Sequence, residues 1–218
     1  MLDFASPERQ EAYRSRGYVH LERLFPPIVL QFFHGRMQKA LDLKNSPQFR
    51  SQTWLVTKPT IEVYSAQYAP MAAFHYGLTP LAAELAGCEL LPTYAYFRAY
   101  QQGDVCVVHS DREACEHSLS LMLELADEIP WALCIGHDTV TEPLPPDMDF
   151  GGEPFTSIPM KAGDAVMYHG VTHRHGRVEP NPNRWSAHLF LHWVDADGRH
   201  ADQAFDRVAL QMAGVRET

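Results

Sequence analysis

Within VVHSDREACEHSLSLML, residues 107–123, a histidine and an aspartate stand two positions apart, His109 and Asp111. A neutral imidazole nitrogen and a hard carboxylate oxygen at this spacing reach one divalent cation where a strand ends and the chain bends. The pair alone is weak evidence, because the chain holds 12 histidines and a polar turn between strands is the competing reading. A third ligand from elsewhere would decide between them. Histidines crowd one later segment, KAGDAVMYHGVTHRHGRVEPNPNRWSAHLFLHWVD (161–195), as His169, His173, His175, His188 and His192. His169 closes a strand-like run just before Gly170, and His173 and His175 share a face if their segment is extended.

The elements that must position these groups change character along the chain. SPERQEAYRSRG reads as a helix with Ser6 as N-cap, Pro7 at the first helical position and Gly17 as a stop. YVHLERLF then alternates like a strand, and PPIVLQFFHGRMQKALDL carries apolar residues at helical spacing. LTPLAAELAG predicts a third helix, capped by Thr79 and closed by Gly87. Residues 45–60 read as loop, TIEVYSAQY as a short strand, and Trp54, Tyr64 and Tyr68 lie where a lid over a substrate would sit. From residue 91 strands dominate: LPTYAYFRAY, VCVVH, HSLSLMLEL, WALCIG, FTSIPM, DAVMYHG and RWSAHLFLHWV. Period-two alternation puts Tyr94, Tyr96, Arg98 and Tyr100 on one face, and Ser186, His188, Phe190 and His192 on one face of the last strand. The stretch 137–153 is acidic and rich in Pro and Gly, hence a surface loop. Seven or eight short strands with polar connections predict a β-sandwich or barrel with the amino-terminal helices on one outer face. Without an internal repeat or linker, residues 1–218 read as one domain: a mostly helical part over 1–90, a β core over 91–195 and a tail over 196–218.

Composition narrows the function classes. Hydrophobic residues make up 45% of the chain and charged residues 21%, ordinary values for a soluble globular protein. No apolar run is long enough to span a membrane, and MLDFASPERQEAYRSRG lacks the apolar segment of a secretory signal, which makes a cytoplasmic location the expectation. Cys88, Cys106, Cys115 and Cys134 show no CxxC spacing, so they read as isolated thiols rather than a zinc knot or disulfide framework. The net charge of −9 is uneven: residues 1–100 carry 10 Lys/Arg against 8 Asp/Glu, and residues 101–218 carry 8 against 19. The half that holds the candidate ligands is therefore acidic, which disfavours nucleic acid and other polyanions as partners.

Taken together, YFRAYQQGDVCVVHSD and the segment 161–195, with a G-D-A turn entering a strand, a histidine after it and an arginine about one strand further on, resemble the Fe(II)/2-oxoglutarate-dependent dioxygenases in a prolyl-hydroxylase-like arrangement. The resemblance covers roughly residues 90–195 and implies a double-stranded β-helix, a jelly-roll or cupin-like barrel. It implies His109, Asp111 and His175 as the iron ligands and catalytic centre, with His175 preferred because HGR is followed nine residues on by Arg184; His173 is the runner-up. It further implies that Arg184 binds the distal carboxylate of 2-oxoglutarate, with Arg177 as competitor, and that Tyr100 and Arg98 face the cosubstrate from the barrel wall. Tyr94 and Tyr96 read as packing residues, His192 as a core or interface histidine, and Arg112 and Glu116 as either a solvated pair or part of the rim.

The implied cofactors are Fe(II), 2-oxoglutarate and O2, and the implied reaction is hydroxylation of an unactivated C–H with release of succinate and CO2. Halogenating relatives lack the carboxylate ligand, and Asp111 is present here. The partner expected is an amino acid, another small molecule or a peptide. Competing readings are a zinc hydrolase, for which no H-E-x-x-H motif is found, a cupin-like non-oxidative metal enzyme, and a non-catalytic β-sandwich binding module.

Overall fold

The computed structural model describes residues 4–206, so most of the expected tail, residues 207–218, lies outside the described residues. The chain opens with α1 (Pro7–Arg16), β1 (Tyr18–Leu21) and α2 (Pro27–Leu41). Gly17 ends α1 at φ 78°, a left-handed conformation that glycine adopts without a Cβ clash. The loop-like region that follows contains β2 (Arg50–Ser51) before β3 (Thr60–Tyr64). The third helix, α3 (Ala69–Ala86), differs from the expectation. It begins ten residues before Thr79 and runs through Pro80, so neither residue starts it. The Thr79 hydroxyl instead donates back to the His75 carbonyl, 3.5 Å away, and accepts from the Trp193 indole N–H at 3.0 Å. Tertiary packing thus overrides the cap and proline signals.

Eight further strands follow: β4 (Leu90–Gln101), β5 (Cys106–His109), β6 (His117–Leu125), β7 (Trp131–Thr139), β8 (Phe155–Met160), β9 (Ala165–Tyr168), β10 (His173–Arg177) and β11 (Trp185–Asp195). They form two antiparallel sheets, a larger one in the order β1-β9-β6-β11-β4-β3-β2 and a smaller one in the order β5-β10-β7-β8. The architecture is the expected double-stranded β-helix. Its amino-terminal part contributes β1, β2 and β3 to the larger sheet as well as the helices that cover it. Strand β10 is the element that the sequence pattern conceals: HRHGR has no apolar residue, yet it is buried throughout between β5 and β7.

Alternation along β6 and β11 sorts the core into two layers. Leu119, Leu121, Leu123, Leu189, Leu191 and Trp193 face the helices, where they pack with Tyr13, Leu30, Met37 and Leu85. The opposite face, carrying Ser118, Ser120, His188 and His192, is buried inside the barrel. The leucine stripe therefore marks the outside of the barrel, and the polar stripe lines its interior. A second apolar cluster, including Trp131, Leu133, Ile158, Met160 and Phe190, fills the rest of that interior. All four cysteines are free thiols, and among the described residues no helix is long and apolar enough to cross a membrane.

Candidate metal centre

Pairing of the smaller sheet brings the first two histidines together. His175 of β10 lies directly across from His109 at the end of β5, with ring centroids 4.5 Å apart. Each ring turns Nδ1 to a carbonyl of its own chain segment, Val107 O at 2.7 Å for His109 and His173 O at 3.0 Å for His175. A carbonyl only accepts, so both Nδ1 atoms carry the proton and both Nε2 atoms present a bare lone pair. These lone pairs face Asp111: His109 Nε2 lies 3.5 Å from Oδ1 and His175 Nε2 lies 3.5 Å from Oδ2. One ligand atom from each residue lies within 4.8 Å of the others. Three electron-pair donors converging without a proton between them repel one another unless a cation sits among them, and the donor set fits a first-row divalent metal. Fixing each imidazole through its second nitrogen is how metal-binding histidines are oriented.

Asp111 is held in place from behind. Its backbone N–H donates to Gly170 O at 2.8 Å, and the Ser118 hydroxyl lies 3.2 Å from its Oδ2. A Cβ at Gly170 would come within 2.4 Å of that oxygen, so glycine is required for the carboxylate to sit there. Burial would raise the Asp111 pKa, yet His175 and His109, when their rings are protonated, hold it well below the usual carboxylate range. Burial, followed by the proximity of His175, pushes His109 down. At neutral pH the site therefore offers an anionic oxygen and a neutral imidazole, the ligand forms a metal needs.

Arg98, Tyr100, Arg177, Tyr96 and Phe190 line the same cavity as the three ligands. Arg98 is buried against Glu62, with Nε 2.7 Å from Oε1, and reaches the Tyr100 hydroxyl at 3.1 Å. Arg177 differs in one respect. It is only 1% exposed, and among the described residues no carboxylate pairs with it. Its guanidinium donates to Trp131 O at 2.8 Å, lies over the Trp131 ring, and has only long contacts to Ser120 Oγ, Met160 Sδ and His188 Nδ1, at 3.3–3.4 Å. Burial pushes its pKa down, as expected for a cation without a counter-ion.

Arg184 is a correction. The resemblance implied that it points into the barrel, but its side chain is 70% exposed and forms an ion pair with Asp127, Nε to Oδ1 at 2.8 Å. It sits in the bend before β11 begins at Trp185, outside the ladder whose alternation would have turned it inward. Its own N–H also donates to Asp127 Oδ2 at 2.7 Å, which fixes it on the outside. His173 is likewise placed apart from the three ligands. A register shift separates it from His175 on the β7 side, and its ring packs over Gly17 and near His169 in a surface cleft.

Ser118, Tyr168, Tyr96 and His192 join the site beyond the residues that the resemblance implies. Ser118 links Asp111 to His192 Nδ1 at 2.8 Å, and the Tyr168 ring lies tilted beside His175 with centroids 4.5 Å apart. Tyr96, which the sequence presents as a packing residue, and His192, which it presents as core or interface, both line the cavity. The signal that locates them is strand alternation: once His188 is placed inside, Ser186, Phe190 and His192 must follow.

No protein-family model matches the sequence, and no curated protein matches it. Solved structures do resemble it. One is the non-haem alpha-ketoglutarate-dependent carbocyclase SnoK from nogalamycin biosynthesis, with 17% identity and a TM-score of 0.69 over 88% of this chain and 85% of that one. Another is HygX from Streptomyces hygroscopicus with nickel, 2-oxoglutarate and hygromycin B bound, with 10% identity and a TM-score of 0.67 over 88% of each chain. A third is a Pseudomonas putida prolyl-4-hydroxylase, with 12% identity and a TM-score of 0.58 over 86% of this chain and 97% of that one. At these identities the likeness establishes architecture: the chain has the double-stranded β-helix fold that these oxygenases share.

Proposed function

We propose that the protein is an Fe(II)- and 2-oxoglutarate-dependent dioxygenase that hydroxylates an unactivated C–H of a small molecule or peptide, with iron held by His109, Asp111 and His175. The observation that carries this reading is the pairing, in one cavity, of three converging ligand atoms with a buried arginine that lacks a counter-ion. A hydrolase built on the same ligands has no use for Arg177, whereas a cosubstrate with a distal carboxylate would neutralise it. The assignment of the distal carboxylate therefore moves from Arg184 to Arg177, whose planar fork suits bidentate pairing.

Bound Fe(II) supplies O2 activation, coupled to decarboxylation of 2-oxoglutarate to succinate and CO2 and to oxidation of the substrate. The chain's own part is positional. His109 and His175 present Nε2 because Val107 O and His173 O hold the other nitrogen. Ser118 steadies Asp111. Tyr100, with Arg98 behind it, walls the space beside Arg177. That space is narrow, about 20 Å3, room for roughly one water. A bound 2-oxoglutarate would need this space to widen, with the Arg177 guanidinium as its ionic partner. The net acidity of the carboxyl-terminal half argues against nucleic acid as substrate, and a cytoplasmic setting suits a metal held by imidazole and carboxylate beside free thiols.

The test is O2-dependent succinate release from 2-oxoglutarate by the Fe(II)-loaded chain, with the slow turnover that occurs without substrate as the minimum signal. The reading expects release from the native chain and none from His175→Ala. Metal-replete protein that leaves 2-oxoglutarate unchanged in air contradicts it.

A further inference from the structure

A second cavity of about 660 Å3 opens from the ligands to solvent, with His109 and Asp111 at its floor. Its walls are Trp54 on one side and Pro143, Leu144 and Pro146 on the other. Both walls are pinned to β5, the strand that ends in His109. The Val107 N–H donates to Leu55 O at 3.0 Å, next to Trp54. On the other side Val108 exchanges two backbone hydrogen bonds with Asp147, at 2.7 and 3.0 Å, just beyond Pro146. Their distance from the metal ligands is therefore fixed by the sheet. Trp54 is 65% exposed and Leu144 48%, and the Trp54 ring stands edge-on to His109 at 6.1 Å. Large apolar side chains left in water on both sides of a reactive centre mark a contact surface for an apolar ligand.

Charge narrows the class. Arg112 is the one basic residue lining this cavity, and it is already engaged: Nη2 lies 2.9 Å from Asp206 and the guanidinium lies over the Tyr94 ring at 4.3 Å. Asp111 is committed to the metal site. An anionic ligand would meet no free cation, and a cationic one would lose hydration against proline, leucine and tryptophan without gaining a partner. We propose that this cleft takes an uncharged, ring-bearing apolar small molecule, its ring face laid between Trp54 and Leu144 and one edge presented to the metal ligands. As a statement about substrate it rests on the dioxygenase reading; as a statement about binding it does not.

The experiment uses three probes that share one ring and differ in charge: 2-naphthol, 2-naphthoate and 2-naphthylmethylammonium, titrated calorimetrically into the full chain loaded with Zn(II), so that Asp111 is engaged. 2-Naphthol is expected to bind about tenfold or more tightly than either charged probe, and Trp54→Ala to weaken it by about tenfold. Leu144→Ser, on the opposite wall, weakens it in the same direction. Equal or tighter binding of a charged probe, no binding of 2-naphthol, or naphthol binding unmoved by Trp54→Ala overturns the proposal. The same chain, loaded instead with Fe(II) and 2-oxoglutarate under nitrogen, gives a separate reading of its visible spectrum. Naphthol failing where the iron–keto-acid band is present removes the cleft assignment alone, and the band failing where naphthol binds removes the dioxygenase reading alone.

Discussion

At the scale of single residues, two substitutions separate neighbours that the sequence presents as near-equivalents. His175→Ala is expected to weaken retention of Fe(II) by at least about a hundredfold, because it removes one of three ligands, whereas His173→Ala leaves it within a few-fold. Metal content after gel filtration checks both, and the reverse result would reassign the ligand. Arg177→Gln is expected to raise the KM for 2-oxoglutarate by about a hundredfold or more, while Arg184→Ala leaves it unchanged, since the latter loses only an exposed pair with Asp127. Steady-state kinetics with varied 2-oxoglutarate decides, and a large effect at Arg184 with none at Arg177 would restore the arrangement that the resemblance implied. These choices show where the sequence was legible. His109 and Asp111 stand two positions apart in the chain, so their types and spacing sufficed to raise a metal site. The inward direction of Arg177 was not legible, because it depends on β10 being a strand and on Arg184 lying one residue before β11 starts.

At the scale of elements, the two strands that carry the histidines approach closely at Gly176. A Cβ there would lie 2.8 Å from Cys106 O and 3.0 Å from Val107 O, both in β5. Gly176→Ala is therefore expected to spread β10 from β5, destabilise the fold by about 1–3 kcal/mol and lower metal affinity at the same time. Urea unfolding and metal titration of the variant check it, and an unchanged midpoint with unchanged affinity would mean the strands have slack. Elements with strong local patterns were readable: α1 between Ser6 and Gly17, and the alternating runs that became β4, β6 and β11. HRHGR was not, since its residues are polar and charged. Its burial is made possible by partners on other elements: Arg174 pairs with Glu153, His175 faces Asp111, and Arg177 lies against Trp131. The start of α3 was hidden for a related reason, because Pro80 reads as a beginning and only the packing around His75 and Trp193 shows that the helix continues through it.

At the scale of the whole molecule, several histidines are buried and neutral. Burial pushes His75 and His169 down to about 4 and His117 and His192 down to about 3, from an ordinary value of 6.5. Between pH 6.5 and 4 the unfolded chain binds protons that the folded chain refuses, so stability rises with pH across that window. The contribution is complete above about pH 6.5 and is lost progressively as the pH falls toward 4 and then 3. Metal-free protein is expected to be at least about 3 kcal/mol less stable at pH 5 than at pH 7.5 by urea unfolding, two histidines sufficing at about 1.4 kcal/mol per pH unit each. A flat profile would mean that these imidazoles charge inside the fold. The acidity of the carboxyl-terminal half, evident in the sequence, disfavours polyanions but does not locate the proposed substrate cleft, whose two walls meet only through their separate attachments to β5.

The central claim is that one metal, held by His109, Asp111 and His175, shares its cavity with a keto acid anchored by Arg177. Its most direct test is the visible spectrum of the chain under nitrogen, with Fe(II) and then 2-oxoglutarate added. The account predicts a weak charge-transfer band that appears only when both are present, disappears in His175→Ala, and needs a higher 2-oxoglutarate concentration in Arg177→Gln. A native chain that binds Fe(II) yet shows no band at saturating 2-oxoglutarate would contradict it.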